Sequence, residues 1–331
     1  MTRHLGLPVV DLGRLDGGGG STSDIARAIR SACETAGFFY LDGHGVDARI
    51  IADAFEANRR FHALPMARKQ AVASNRWHRG YLGFGDAKLK SSARYAPARQ
   101  ANRLESFFVR HEVEEDDPDF RSGKPLQGPN QWPDDAFFKE AVSAYDKALR
   151  RLGMRLLPVL SLAIGEEAGF LARHFAPPST ALRLNHYPPA EPTPEDDVFG
   201  SHPHTDYGFL TLLAQDAIGG LEIETTDGSW HPVPCREGAF VVNIGDIFAR
   251  WTNDVFNSTR HRVVTPAGGR DRYSIAYFFD PNLDTFIECL PAFQGGEARY
   301  QPIRFVDYFA ERLDANYSRR DAEPDGGSDA S

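Results

Sequence analysis

His204 and Asp206 stand one residue apart in Pro203-His204-Thr205-Asp206-Tyr207, and 54 residues (207 to 260) separate them from His261. On a β-strand, side chains at i and i+2 point to the same face, so the first two can meet at one point. The third can join them only if the chain leaves and comes back. From Pro178 onward the chain is built of short alternating runs divided by Gly, Pro and Asp, the pattern of an antiparallel barrel or jelly roll. Two imidazoles and one carboxylate are the protein ligands of a facial triad, which leaves positions open on Fe(II) for a co-substrate and O2. A lone His-x-Asp carries little weight; the ordered set with its spacing carries far more.

Two further strands bear on the same chemistry. Ala181 to Tyr187 places Arg183, Asn185 and Tyr187 on one face, with Leu182 and Leu184 on the other. Polar side chains directed into a barrel are costly unless partners meet them there. Arg272 and Ser274 repeat the spacing in a run that continues as Ile275 to Phe279, ten residues (262 to 271) beyond His261. A guanidinium grips a carboxylate through two parallel hydrogen bonds, and a neighbouring hydroxyl adds another. A dicarboxylate with one end on the metal and the other on Arg272 would use that pair. His186, His202 and His231 are left outside the metal site, because a histidine outside the motif is more often a hydrogen-bonded structural residue.

Upstream, Pro8 to Leu12 reads as an opening strand and Gly17 to Ser23 as a flexible loop. Asp24 is placed to cap a helix over Ile25 to Ala36. Phe38 to Leu41 reads as a buried strand and Ala48 to Leu64 as a second helix. A longer helical stretch, Asp134 to Leu162, is expected to kink or break at Pro158. Ser74 to Pro129 reads as irregular, with a basic segment at Lys88 to Arg103 and an acidic run at Glu112 to Asp119. Phe305 to Tyr317 reads as a closing amphipathic helix. The expected organisation is a helical and mixed region, 1–178, packing on a jelly-roll core with its closing helix, 179–317, and a disordered tail, 318–331. The fold class expected is mainly β with supporting α-helices around a double-stranded β-helix.

Hydrophobic content of 41% and charged content of 25% suit a globular chain, and a net charge of −9 gives no general attraction to nucleic acid or anionic lipid. Three cysteines without a Cys-x-x-Cys pair argue against a disulfide framework. The most apolar stretch, Leu156 to Ile164, is too short to span a membrane, and Met1 to Pro8 lacks the apolar core of a signal peptide. A cytoplasmic monomer acting on a small molecule, with no nucleic-acid or membrane partner, is expected.

Taken in order, these segments resemble the isopenicillin N synthase-like family of Fe(II)- and 2-oxoglutarate-dependent dioxygenases. The resemblance covers most of the chain. It runs through Pro8 to Leu12, Gly37 to Val46, Arg79-Gly80-Tyr81, Glu105-Ser106-Phe107 and Gly128 to Pro133. It continues through Asn185 to Pro189, His204 to Thr211, Gly219 to Leu221, Asn243 to Asp246, His261 to Val263 and Arg272 to Ser274.

The resemblance implies Fe(II) on His204, Asp206 and His261, and O2 as the oxidant. It implies the distal carboxylate of 2-oxoglutarate on Arg272 and Ser274, Tyr187 close by, and Asn185 near the co-substrate's chelating end. The implied activity is oxidation of a small metabolite (hydroxylation, desaturation or cyclisation) with release of succinate and CO2, in secondary metabolism. His186 stands where many plant members carry Tyr, on the face turned away from the iron. Substrate contacts are expected from Arg183, as a substrate contact or an internal salt bridge; Tyr81, Phe107 and Phe279 are candidate apolar walls, with ordinary core packing the better reading for each. Within the family, isopenicillin N synthase and aminocyclopropane-carboxylate oxidase do without 2-oxoglutarate as co-substrate, and ethylene-forming enzyme fragments it. Asn185 with Tyr187 favours the 2-oxoglutarate reading. A non-enzymatic small-molecule-binding barrel is disfavoured, because structural metal sites are usually closed and this set leaves positions open.

Overall fold

The computed structural model describes residues 6–16, 21–86, 100–189, 198–264 and 268–316. Strand β1 (Val9–Asp11) pairs in parallel with β2 (Phe38–Asp42), and helix α1 (Thr22–Thr35) connects them. Helix α1 starts earlier than the sequence suggests. Its cap is Ser21, whose side chain accepts from the Asp24 N–H while Asp24 accepts from the Ser21 N–H. Helix α2 (Ala48–His62) is capped by Asp47 and followed by the short α3 (Met66–Gln70).

The stretch expected to be irregular contains two strands, β3 (Gly80–Leu82) and β4 (Glu105–Arg110), and the short α4 (Pro118–Arg121). Strand β4 is buried along its whole length, Glu105, Ser106 and Arg110 included. Those polar residues conceal its strand character, because they are buried among partners rather than alternating toward water. Helix α5 (Ala136–Ala163) runs unbroken through Pro158. The N–H that proline lacks would have bonded the carbonyl of Met154, and both residues lie on the exposed side of the helix. Among the described residues no helix is long and apolar enough to cross a membrane.

The second half supplies β5 (Ser179–Tyr187), β6 (Ser201–His204), β7 (Leu210–Gln215), β8 (Leu221–Glu224), β9 (Trp230–Pro232) and β10 (Phe240–Ile244). Helix α6 (Asp246–Trp251), β11 (His261–Val263), β12 (Arg272–Asp280), the small pair β13 (Phe286–Ile287) and β14 (Ile303–Arg304), and α7 (Phe305–Asn316) complete it. The major sheet runs β1-β2-β10-β7-β12-β5-β4-β3 and the minor sheet β6-β11-β8-β9, the two layers of a jelly roll. Strands from the first 178 residues form both edges of the major sheet, so the N-terminal region extends the barrel as well as packing on it.

One face of the major sheet meets α1, α2 and α5 over a large apolar cluster that includes Leu182, Leu184, Ile275 and Tyr277. The other face meets the minor sheet over a smaller cluster that includes Phe38, Tyr187, Leu221 and Val263. Strand alternation therefore divides every central strand into a structural face and a cavity face. The expectations for Gly17 to Gly20, most of Lys88 to Arg103, and the tail from Ser318 fall outside the described residues.

Candidate metal centre and co-substrate cavity

His204 ends β6 and His261 begins β11, and the two are direct partners in the antiparallel ladder, with ring centroids 4.3 Å apart. Asp206 lies beyond the end of β6, so strand alternation alone does not place it. Its backbone is held by the Asp246 N–H, which donates to the Asp206 carbonyl at 2.8 Å. Gly245 lets the two segments approach, since a Cβ there would sit 2.1 Å from the Gly208 carbonyl oxygen.

Asp206 Oδ1 is 3.9 Å from His204 Nε2 and 3.7 Å from His261 Nε2. Its other oxygen, Oδ2, accepts from the Thr211 hydroxyl at 2.5 Å and from Asn243 Nδ2 at 2.7 Å. His204 Nδ1 lies 2.7 Å from the His202 carbonyl, and His261 Nδ1 lies 3.1 Å from the Thr259 carbonyl. A carbonyl only accepts, so each Nδ1 carries the proton and each Nε2 presents a lone pair inward. Burial first, and then the neighbouring His261, push the His204 imidazole down to about 4, so it is neutral at neutral pH. Burial opposes ionisation of Asp206, but His261, His204, Asn243 and Thr211 outweigh it and hold the carboxyl below its usual value. Among the described residues this is the one group of three or more such side chains whose ligand atoms all lie within 4.8 Å of one another.

Across the cavity, Arg272 pairs with Tyr187 and Ser274 with Asn185 in the register of β12 and β5. The four share the cavity, as the alternation of both strands predicts. Arg272 is fully buried; Nη1 donates to Ser274 Oγ at 3.4 Å and Nη2 to Gln215 Oε1 at 3.3 Å. Asn185 Nδ2 donates to the same Ser274 oxygen at 3.4 Å. Among the described residues Arg272 Nε and Asn185 Oδ1 are buried without a hydrogen-bond partner, and no carboxylate pairs with Arg272. A buried guanidinium left so costs several kcal/mol by order of magnitude, which a bound acid would recover. The donor set and the orphaned atoms fit a divalent metal and a dicarboxylate.

The three candidate cavity walls pack in the core, the better of the two readings, and do not line the cavity. Phe107 and Tyr81 point to the helix side, where Phe107 packs on Phe61 at 4.6 Å and on Phe138 at 5.1 Å. The Tyr81 hydroxyl donates to Glu105 at 2.5 Å. Phe279 stacks on Phe175 at 5.0 Å and presses on Gly153, where a Cβ would be 2.5 Å from its ring. Phe107 and Phe279 are each one residue out of phase. Phe108 and Phe278, their neighbours, line the cavity, with Arg110, Arg183, Phe309 and Leu313. Phe278 was readable from the parity of Arg272 and Ser274. Phe108 and Arg110 were not, because the face that β4 presents depends on its pairing with β5. Thr211 and Asn243 lay within the recognised motifs with no role attached.

Of the histidines set aside, His202 Nδ1 lies 2.8 Å from Asn102 Oδ1, and His186 bridges Glu105 at 2.8 Å and Asp271 at 2.7 Å on the structural face. His231 sits in β9. Arg183 donates from Nε to the Ser106 hydroxyl at 3.2 Å, with its guanidinium carbon 5.0 Å from the Phe108 ring centroid.

Three inward-facing side chains that could hold a metal ion, beside a buried guanidinium that could take an acid, fit an oxygenase that brings one metal ion and one dicarboxylate together. Two family profiles match: non-haem dioxygenase in morphine synthesis N-terminal over residues 7–135, and the 2OG-Fe(II) oxygenase superfamily over residues 178–281. The 2-oxoglutarate-Fe(II) type oxidoreductase hxnY of Emericella nidulans is 32% identical over 327 residues, covering 95% of this chain and 91% of its own. Clavatol oxidase claD of Penicillium crustosum is 31% identical over 332 residues, covering 94% and 97%. A full-length Neurospora crassa protein crystallised with alpha-KG and thymine superimposes with a TM-score of 0.81 at 29% identity, covering 93% of this chain and 96% of that one. The chain belongs to the 2OG-Fe(II) oxygenase superfamily and is an Fe(II)- and 2-oxoglutarate-dependent dioxygenase.

Proposed function

We propose that His204, Asp206 and His261 hold the Fe(II), and that Arg272 and Ser274, with Tyr187 beside them, hold the distal carboxylate of 2-oxoglutarate. Asn185 steadies the co-substrate's chelating end. The observation that carries this reading is the fully buried Arg272, which among the described residues has no carboxylate partner and faces the same cavity as the triad. When bound, the iron supplies O2 activation, coupling decarboxylation of 2-oxoglutarate to succinate and CO2 with oxidation of the substrate.

The chain's own residues do the positioning. Thr211 and Asn243 occupy Asp206 Oδ2 and so leave Oδ1 for the metal. The His202 and Thr259 carbonyls fix both imidazole tautomers. Phe108, Phe278 and Phe309 supply the apolar surface on the substrate side of the cavity. The substrate is a small metabolite. The name of one fungal relative, an oxidase of clavatol, supports work in secondary metabolism. We further infer a monomer acting in the cytoplasm.

The test is calorimetric titration of 2-oxoglutarate into the anaerobic Fe(II)-loaded protein, alongside a succinate assay in air. The wild type should bind 2-oxoglutarate and release succinate. Alanine at His204, Asp206 or His261 should abolish both Fe(II) retention and turnover, while His231→Ala keeps them. Full metal loading and normal turnover in Asp206→Ala would remove the triad. O2 consumption without uptake of 2-oxoglutarate would remove the Arg272 anchor.

A further inference from the structure

The cavity face of the major sheet carries two separate arginine stations. Along β12 and β5, the Arg272–Tyr187 row is followed by Ser274–Asn185 and then by Ala276–Arg183. Phe108 of β4 lies opposite Arg183, and one row further Arg110 and Phe278 both lie opposite Ala181. Four residues of strand separate Arg272 from the Arg183 row, a rise of about 13 Å. One carboxylate cannot serve both stations, and the co-substrate's two ends are taken up at Arg272 and at the triad.

The second station is held rigidly. Arg183 lies over the Phe108 ring at 5.0 Å and is fixed through Nε by Ser106. Arg110 is 5% exposed and lies 5.5 Å from the Phe309 ring centroid, with Nε donating to the His78 carbonyl at 3.4 Å. Phe309 and Leu313 come from α7, so the closing helix covers this end of the cavity. Among the described lining residues the one carboxylate is that of Asp206. Beyond the lining, Arg110 also acts on the buried carboxyl of Asp280, next on the same face of β12, so Arg183 is the main anchor of the station. Aromatic walls with two stacked guanidiniums suit a ligand that has an apolar body and a negative end.

We propose that the primary substrate is a carboxylate with an aromatic or similarly apolar body, its acid group bound at the Arg183 and Arg110 station and its oxidisable carbon turned to the triad. This deepens the function proposed above and rests on it. Arg183 and Arg110 then select the substrate and orient it, and the Phe108, Phe278 and Phe309 surfaces set the size of its body.

The test compares acids with their own amides. Benzoate, phenylacetate, 3-phenylpropionate and cinnamate, and the four matching primary amides, are titrated by calorimetry into the anaerobic protein loaded with Fe(II) and 2-oxoglutarate. At least one acid should bind the wild type more tightly than its amide by roughly ten- to a hundredfold, the range of a charge-assisted hydrogen bond. That preference should vanish in Arg183→Met, shrink in Arg110→Met and partly survive in Arg183→Lys. Circular dichroism identifies any variant that fails to fold, and the remaining variants then decide. The proposal is overturned if no acid outbinds its amide on the wild type, whether the amides bind or nothing does, or if the preference persists in a folded Arg183→Met. The 2-oxoglutarate titration that loads the protein reports on the co-substrate site separately, so loss of the acid preference with 2-oxoglutarate still bound removes the substrate assignment alone.

Discussion

The guanidinium carbon of Arg272 lies 4.6 Å from the ring centroid of Tyr187, its direct partner across β12 and β5. The stack holds the guanidinium plane and leaves its edge for an acid, while Ser274 and Gln215 steady the two terminal amino groups. Lysine offers neither the flat face nor the two-pronged edge. Arg272→Lys should therefore raise the KM for 2-oxoglutarate about ten- to a hundredfold, with kcat largely retained at saturation. Steady-state kinetics across 2-oxoglutarate concentrations decide it; an unchanged KM would place the carboxylate elsewhere.

Thr211 and Asn243 should matter to the metal although neither is a ligand. Both donate to Asp206 Oδ2. Removing either donor frees the carboxylate to rotate away from the two imidazoles. Thr211→Val and Asn243→Ala should each weaken Fe(II) affinity about 10- to 100-fold, read by competition with a chelator. Wild-type affinity in both variants would show that the carboxylate needs no such support.

Phe107 belongs to the core and should behave so. It is fully buried against Phe61 and Phe138. Phe107→Ala should cost about 3–5 kcal/mol of stability by urea titration, with the Kd for 2-oxoglutarate unchanged in the folded fraction. A change in that Kd without loss of stability would return Phe107 to the cavity.

His186 makes the structural face of the co-substrate strands sensitive to pH. Burial disfavours its charged form, but the hydrogen bonds it donates to Glu105 and Asp271 outweigh this and raise its pKa above the ordinary histidine value. Tyr273 stacks on it at 4.9 Å, and the buried Lys69 and His62 complete the surroundings. Burial pushes His62 down to about 3, so it stays neutral. A raised pKa means that the stabilisation from His186 is complete below pH 6.5 and is lost as the pH rises through the folded value. Glu105 runs the other way. Burial opposes its ionisation, but His186, Lys69 and Tyr81 bring it to about 2, so its contribution is present above about pH 4.5 and is lost toward pH 2. Melting temperature measured from pH 6 to 9 should fall for the wild type and fall less steeply for His186→Gln. Equal slopes would assign the loss to other groups.

Along a single strand, alternation is a local property of the backbone, and it was enough to put Arg183, Asn185 and Tyr187 on one face of β5 and Arg272 with Ser274 on one face of β12, the two faces that share the cavity. The same local signals located the end of α1 before Gly37 and marked both histidines of the candidate metal centre. Where side chains meet across strands, local signals stop. The face that β4 turns to the cavity follows from its register against β5, which is why Phe107 and Phe108 exchanged roles. Asp206 comes to the metal centre through the contact of its loop with Gly245 and Asp246, distant in sequence. Arg110 joins Arg183, and α7 covers them both, only once chain segments far apart have closed on one another. Residue types and their parity are written in the chain, whereas register and cover are fixed by long-range pairing and burial, which no short window of sequence contains.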